Sequence, residues 1–598
     1  MKVVEKSRRI SRWILLALVM VGAFALAVSA LDFAVMRGYL DLQAGDGRAD
    51  PYTRELHERI MFALRCAGAV FIVLALVIVF IRERFERQAG MFLGAWWRDL
   101  KSAVHAARSF CSDRSSLMTL LVITGIAVVL RIQYLDVPVR FDEAYTHLFY
   151  ASKPAIFIAT VYNEPNNHVF HSLCLHFVSF VLPNDPWALR IPALMAGILM
   201  VPLAFLLGNA WQGRIAGTMA ALLCAVSPPL IDYSVNGRGY TMIWFLGFTL
   251  LLLGDYILRQ RNLAGWSLLA FIAALGMWTI PTMLYVVAAV LAWLPIAHFR
   301  SAQVADYEGR FPRYLIGVTV GIGLLTLFCY LPIFVVTGSR WILENPYVAS
   351  DWQHFAGNLT RHTLEALERS MIGSPPWMLV MLLVGIFYFY AFPPNNKNGR
   401  FYFLPVMVVC HLAIMLLQKA VPPERVWLGF LPFVFLLVGV GYAAGIERLS
   451  HPGLRRIGMT MLLGVLAVWP GIRMINAASI RDSGEMRCTG DLEQIAMDLK
   501  LELASVDRIA AMCPMNAPLI YHARRHDLPM QHFETPPSQS VAGERLFVIV
   551  SDLMDQAVQD VLLDGKIPDR FRLSQTTAPR KYSQVTVYTL DALEHHKN

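Results

Sequence analysis

Long apolar runs separated by short polar stretches recur from Trp13 to Ile475. A hydrocarbon core of about 30 Å needs roughly 20 apolar residues in a helix, with about 17 as the lower limit. Counting runs that reach or just approach that limit, the pattern predicts thirteen transmembrane helices: Trp13–Leu31, Ile60–Ile81, Leu117–Tyr134, Ala188–Gly208, Arg214–Ile231, Thr241–Leu258, Ala264–Thr279, Thr282–His298, Tyr314–Val335, Trp377–Phe392, Phe401–Leu417, Trp427–Ile446 and Ile457–Ile475. Lys2, Lys6, Arg8, Arg9 and Arg12 give the first run the flank of a signal sequence. The run is long and no clean small-residue cleavage site follows, so it is kept as a helix.

One apolar segment, His168–Leu182, is short and carries His168, His171 and His176. Charge decides its path. If it crosses, the basic stretches at Arg214, Leu258–Asn262, Arg300–Arg313, Lys397–Arg400 and Arg448–Arg456 all fall outside, against the preference of Lys and Arg for cytoplasmic loops. It is therefore read as an external juxtamembrane or re-entrant helix, tolerated where protein buries it. The loop carrying Arg82, Arg84, Arg87, Arg98, Lys101, Arg108 and Arg114 is then cytoplasmic, as is the amino terminus. Three large regions face outward: Leu135–Trp187, Val336–Pro375 and everything after Asn476. The chain thus divides into residues 1–116 (two helices and the basic loop), 117–299 (a core with the first external loop, 135–187), 300–475 (the remaining helices with external loop 336–375) and 476–598.

The period changes in the last of these. Asp491–Leu503 has helical spacing, Arg508–Cys513 and Arg545–Ser551 read as buried strands, Ala557–Leu563 as a helix, and Tyr582–Leu590 alternates like a final strand. The fold class expected is an α-helical polytopic membrane protein with a small extracytoplasmic α/β domain at the carboxyl end. Composition agrees, with 56% of the 598 residues apolar and 16% charged. Average soluble domains are about 45–50% apolar and about 25% charged, so a soluble or disordered chain is excluded. The net charge of +9 reads as an orientation signal in place of a nucleic-acid footprint, since no zinc finger, RNA-binding motif or long basic recognition helix accompanies it. Of eight cysteines, only Cys488 and Cys513 share a polar region, and they pair if that region meets an oxidising compartment. A bacterial inner (plasma) membrane is the expected location, with the tail periplasmic or extracellular.

Three external stretches carry candidate chemistry. The first holds Asp142 and Glu143 just past a transmembrane helix. A partly desolvated carboxylate there suits a general base. The second, Tyr162-Asn163-Glu164-Pro165-Asn166-Asn167-His168, supplies amides, a carboxylate and an imidazole at a helix start, where free backbone N–H groups suit phosphate. The third is Tyr233-Ser234-Val235-Asn236-Gly237-Arg238-Gly239-Tyr240, whose glycines permit close backbone approach and whose Arg238 suits a phosphate oxygen. Lys153 lies in the first loop, and Glu424 and Arg425 follow Pro422-Pro423 between two later helices. Arg340, His354, Arg361 and His362 lie in the second large loop. No P-loop or dinucleotide fingerprint is present.

In order, an Asp-Glu pair, Pro165-Asn166-Asn167-His168, Trp187-Ala188-Leu189-Arg190-Ile191-Pro192-Ala193, Ser227-Pro228 and Gly237-Arg238-Gly239-Tyr240 resemble the polytopic GT-C glycosyltransferases of the protein O-mannosyltransferase and lipid A aminoarabinose transferase group. The resemblance covers Leu117–Phe299 and runs more thinly to Ile475. It implies transfer of a sugar from a polyprenyl-phosphate donor to an acceptor hydroxyl at the external face, usually with inversion. Asp142 takes the place of the family's base, with Glu143 supporting it or meeting acceptor. Arg238 and His168, with Lys153 and Arg425 behind them, are the candidates for the donor phosphate. Asn163, Glu164, Asn166, Asn167, Tyr240 and Glu424 are the candidates for other substrate contacts. The acceptor expected is a cell-envelope glycan, a lipid such as lipopolysaccharide, or a protein, with membrane lipids around the chain and no nucleic acid. The wider superfamily admits a divalent cation, although these acids do not by themselves make a metal site. The competing class is a transporter or flippase of a lipid-linked substrate. Such proteins place charges near the midplane, often in inverted repeats; here the charges sit in loops.

Overall fold

Each long apolar run among the described residues folds as a helix, because inside a bilayer only internal hydrogen bonds can satisfy the backbone. The computed structural model describes residues 2–43, 52–183, 185–260, 262–300, 309–344, 348–372, 374–392, 399–451, 453–455, 457–458, 464, 489–534, 544–567, 571–574 and 577–592. Among the described residues nine helices are long and apolar enough to cross a membrane, or ten if Trp352–Met371 and Pro376–Ala391, bent by 104°, count as one span. This corrects the thirteen expected. The run Ile457–Ile475 lies outside the described residues, apart from single positions. Helix α12 (Leu263–Thr279), with 17 residues, sits at the lower limit of a crossing.

The remaining difference is one of counting: two expected spans fall largely within one helix that reverses at the break between them. Helix α9 (Ile191–Val226) takes in most of the runs predicted at 188–208 and 214–231 and is broken at Gln212 and Gly213, where Gly213 has φ +80°. A Cβ on Gly208 would lie 2.8 Å from the Ala216 backbone. Eight residues of unbroken helix would hold those positions about 12 Å apart, so the chain folds back as two antiparallel arms. Helix α20 (Leu431–Glu447) packs into them through small residues. A Cβ on Gly439 would meet Ala216 and Ala220 at 2.8 Å, and one on Gly441 would collide with the Gly385 carbonyl of α17 (Pro376–Ala391). Small residues allow such backbone approach between membrane helices.

Two elements matter beyond the bundle. Residues 82–112, expected as a loop, form helix α4 (Arg82–Ser112), between α3 (Arg54–Phe80) and α5 (Arg114–Ile132), with none of its residues buried. The segment 168–182 forms α8 (Val169–Val181), too short at 13 residues to cross. The tail is a five-stranded mixed sheet of order β1-β2-β5-β3, with β3 (Phe571–Leu573) at one edge and β4 (Arg580–Lys581) also on β5. Strands β1 (Arg508–Ala511) and β2 (Arg545–Ser551) are parallel, and β5 (Val585–Ala592) runs antiparallel to β2. Phe547 and Ile549 enter one core with Leu492, Ile495 and Leu519, while Leu546, Val548 and Val550 enter another with Val561 and Phe571. That alternation is the period of a sheet covered on both faces. Cys488 lies outside the described residues.

The helix Asn516–Arg525, absent from the sequence reading, joins β1 to β2 and also packs outward. Its Ala517 and Tyr521 share an apolar cluster with Val139, Ala144, Leu148, Ala151, Leu175 and Leu189. The sheet domain therefore rests on the first large loop.

Candidate active site

Helix α5 ends at Ile132, and a short stretch leads to Arg140, which starts α6 (Phe141–Thr146) in extended conformation. The Glu143 carboxylate, three residues into that turn, accepts the Arg140 backbone N–H (3.0 Å), the reciprocal bond of a capping box. Three other donors converge on it. Arg190 gives Nε (3.1 Å) and Nη2 (2.9 Å), and the Gly237 N–H lies 2.6 Å away. Arg190 also donates to the carbonyls of Leu135 (2.6 Å), Val137 (2.8 Å) and Pro138 (3.0 Å). Burial alone would raise the Glu143 carboxyl, but the paired Arg190 and the Arg140 charge outweigh it and hold it below the usual carboxylate range. Both side chains are wholly buried. Glu143 and Arg190 thus tie together the acid loop, the head of α9 and the Gly237 turn.

Asp142 is the neighbour that stays accessible, with its side chain 42% exposed. Its Oδ2 lies 3.3 Å from Nη1 of Arg238, whose side chain is buried. Arg238 sits in the turn between α10 (Pro228–Ser234) and α11 (Tyr240–Arg259). Two glycines make that turn possible: a Cβ on Gly237 would lie 2.6 Å from the Leu189 carbonyl, and one on Gly239 would lie 2.9 Å from Thr279 and 3.1 Å from His168.

His168, buried at the start of α8, completes the group. The Gly239 N–H donates to its Nδ1 at 2.9 Å. A neutral ring that accepts at Nδ1 carries its proton on Nε2. Nε2 lies 3.4 Å from Arg238 Nη2, so two donors face each other. Arg238 Nε has no hydrogen-bond partner among the described residues. Burial first, then the charges of Arg238 and Arg425 and the neighbouring His171, hold the His168 pKa well below its ordinary value, so the ring is neutral. The Tyr240 ring meets His168 edge to face at 5.2 Å and lies 5.9 Å from the Arg238 guanidinium.

The structure therefore gathers Asp142, Glu143, His168, Arg238 and Tyr240, with Arg425 within electrostatic reach. Asn167 is buried and braces the loop, donating from Nδ2 to the carbonyls of Ile158 (3.0 Å) and Val161 (2.8 Å). Asn166 and Glu164 are half-buried, while Asn163 and Lys153 are exposed. Glu424 is paired with Arg369 (3.1 Å) of α16 (Trp352–Met371), and His362 of the same helix bonds through Nδ1 to the Pro422 carbonyl (2.9 Å).

Sequence reasoning passed over Arg190 and the buried pair of Arg140 with Asp232. The available signal was a charged residue at the head of an apolar run, which is costly unless it is paired. Among the described residues no three His, Cys, Asp or Glu side chains gather to hold a metal ion.

Residues 165–320 match the family described as dolichyl-phosphate-mannose-protein mannosyltransferase. The resemblance read from the loop motifs is thus met again by a separate comparison. No curated protein matches the chain in sequence. Among solved structures, apo ArnT from Cupriavidus metallidurans is 10% identical with a TM-score of 0.51, covering 79% of this chain and 98% of its own. The same protein bound to undecaprenyl phosphate is 12% identical with a TM-score of 0.49, covering 80% and 98%. The oligosaccharyltransferase AglB from Archaeoglobus fulgidus, in complex with an inhibitory peptide and a dolichol-phosphate, is 12% identical with a TM-score of 0.41, covering 73% and 62%. At such identities the apo ArnT likeness speaks for the fold.

Proposed function

We propose that this chain, a GT-C glycosyltransferase, moves a sugar from a polyprenyl-phosphate carrier to an acceptor hydroxyl at the extracytoplasmic face of the membrane, with inversion and with Asp142 as general base. One observation carries the reading of the donor end. His168 Nε2–H and Arg238 Nη2–H point at each other across 3.4 Å. Two buried donors in that arrangement call for a shared acceptor, and a phosphate oxygen supplies one. The match of residues 165–320 to a lipid-phosphate-dependent mannosyltransferase family supports the same donor class.

The chemistry follows from charge. The acceptor oxygen attacks the anomeric carbon while its proton passes to an Asp142 oxygen. The bond from that carbon to the carrier phosphate breaks, and its electron pair stays on the phosphate. Arg238, with neutral His168 donating beside it and Arg425 behind, meets the growing negative charge, where preorganised donors lower the barrier most. Arg238 also orients Asp142 across their 3.3 Å contact until the acceptor arrives. Glu143 has its oxygens filled by four donors, so we assign it the supporting role. Tyr240 walls the phosphate end. Lys153, Asn163, Glu164 and Asn166 form the accessible rim that meets sugar or acceptor. The acceptor is a cell-envelope glycan, lipid or protein hydroxyl.

The test uses the purified chain, a synthetic polyprenyl-phosphate sugar and envelope extract as acceptor, with mass spectrometry of glycans from cells with and without the gene to name both substrates. Asp142→Asn is expected to abolish transfer while expression and melting stay as in the wild type. Full activity of that variant overturns the assigned role. Transport of the lipid-linked sugar in liposomes with no transfer overturns the enzyme reading in favour of a flippase.

A further inference from the structure

We infer that α4 is a docking surface for anionic phospholipid headgroups, on the side of the membrane opposite Asp142. The inference stands apart from the proposed reaction. Its first ground is position. Helix α4 begins directly after the candidate span Arg54–Phe80 and ends directly before the candidate span Arg114–Ile132. Both of its ends are therefore pinned at a bilayer surface, and about 46 Å of helix lies between them. It lies away from the active site: α5 separates the two, and α11 runs from Tyr240 beside His168 to Arg259 near the point where Asp99 of α4 accepts the N–H groups of Leu263 (2.6 Å) and Ala264 (3.1 Å).

The second ground is charge. Two of the three acids of α4 are consumed inside the protein, and the third, Glu83, is exposed but outnumbered by the cations around it. Asp99 caps α12, and Glu86 is held by Arg82 (2.9 Å) and Arg8 (3.8 Å). Arg87, Arg98, Lys101 and Arg108 are exposed, and none forms an ion pair among the described residues. Spacings of four and seven residues place them on one face with Met91 (68% exposed) and Trp97 (52% exposed). Phe110, at the far end, packs inward on Phe205. An outward face that mixes cations with large apolar side chains, fixed at a bilayer boundary, matches a headgroup layer carrying negative charge above acyl chains. A soluble acidic partner would match the cations but would not cover the exposed apolar surface of Met91 and Trp97.

The full chain, purified in detergent and offered equal amounts of phosphatidylglycerol and phosphatidylcholine, reports this through the lipids it retains in native mass spectrometry. Phosphatidylglycerol is expected to be retained about fivefold or more over phosphatidylcholine, with the preference falling toward parity in about 0.5 M salt and in the variant Arg87→Gln/Arg98→Gln/Lys101→Gln/Arg108→Gln. A photoactivatable phosphatidylglycerol on the wild-type chain, mapped by peptide mass spectrometry, is expected to label residues 82–112 and does not depend on the variant folding. Equal retention of the two lipids, an unchanged preference in the variant, or label confined to other segments overturns the inference.

Discussion

Removing Arg190 exposes how the acid loop is held. Arg190→Leu leaves the Glu143 carboxylate wholly buried with only the N–H groups of Arg140 and Gly237 as donors, and frees the carbonyls of Leu135, Val137 and Pro138. Breaking a buried pair by deleting one partner costs about 3–5 kcal/mol, because a charge is stranded, whereas replacing both partners with apolar groups of similar volume is often near neutral. Arg190→Leu is therefore expected to lower the melting midpoint in detergent by several degrees, and Glu143→Leu to do the same by stranding the arginine. The double variant is expected to melt closer to the wild type than either single variant does. Transfer kinetics give a second readout. A displacement of about 1 Å at a reacting group costs on the order of a hundredfold, so both single variants and the double are expected to lose kcat by about that factor with a much smaller change in KM. Stability restored without activity is the signature of a positioning pair. Two single variants that melt and turn over like the wild type refute the argument.

Two further perturbations probe neighbouring features. Gly239→Ala places a Cβ 2.9 Å from Thr279 and 3.1 Å from His168, so the imidazole must move; donor KM is expected to rise more than kcat falls, and an unchanged donor KM speaks against a phosphate site there. His147, beside Tyr521 of the sheet domain, has its pKa lowered to about 4 by burial and then by Arg524. The unfolded chain takes up that proton near pH 6.5 and the folded chain does not, so the stability tied to the neutral ring is present above about pH 6.5 and is lost as pH falls toward 4. Limited proteolysis across that range is expected to release the sheet domain increasingly toward acid in the wild type and with a flatter profile in His147→Gln; coincident profiles count against the interface.

Much of this arrangement was legible in the chain. Strand Arg545–Ser551 agrees in both ends with the sequence reading, because a fully apolar run bounded by polar residues leaves little choice. Asp142, His168 and Arg238 share one site because helices of known length return their loops to the same end of the bundle. What escaped was contact information. The helix Asn516–Arg525 carries Pro518 and three basic or histidine side chains, so its pattern reads as a connection, although proline is tolerated in a first turn. Arg190 looked like the flank of a membrane helix; only the fold shows its guanidinium aimed at a carboxylate far upstream.

The seat of Ala517 and Tyr521 against Ala144 and Leu148 has a meaning in time. A chain emerges in order, and α6 with its two acids is made and folded hundreds of residues before the helix that braces it. Until the ribosome has produced the sheet domain and the domain has folded, the loop bearing Asp142 lacks one of its walls. A nascent or truncated chain would then have its helices in place and the proposed site slack, so that competence arrives with the sheet domain and not with the first span.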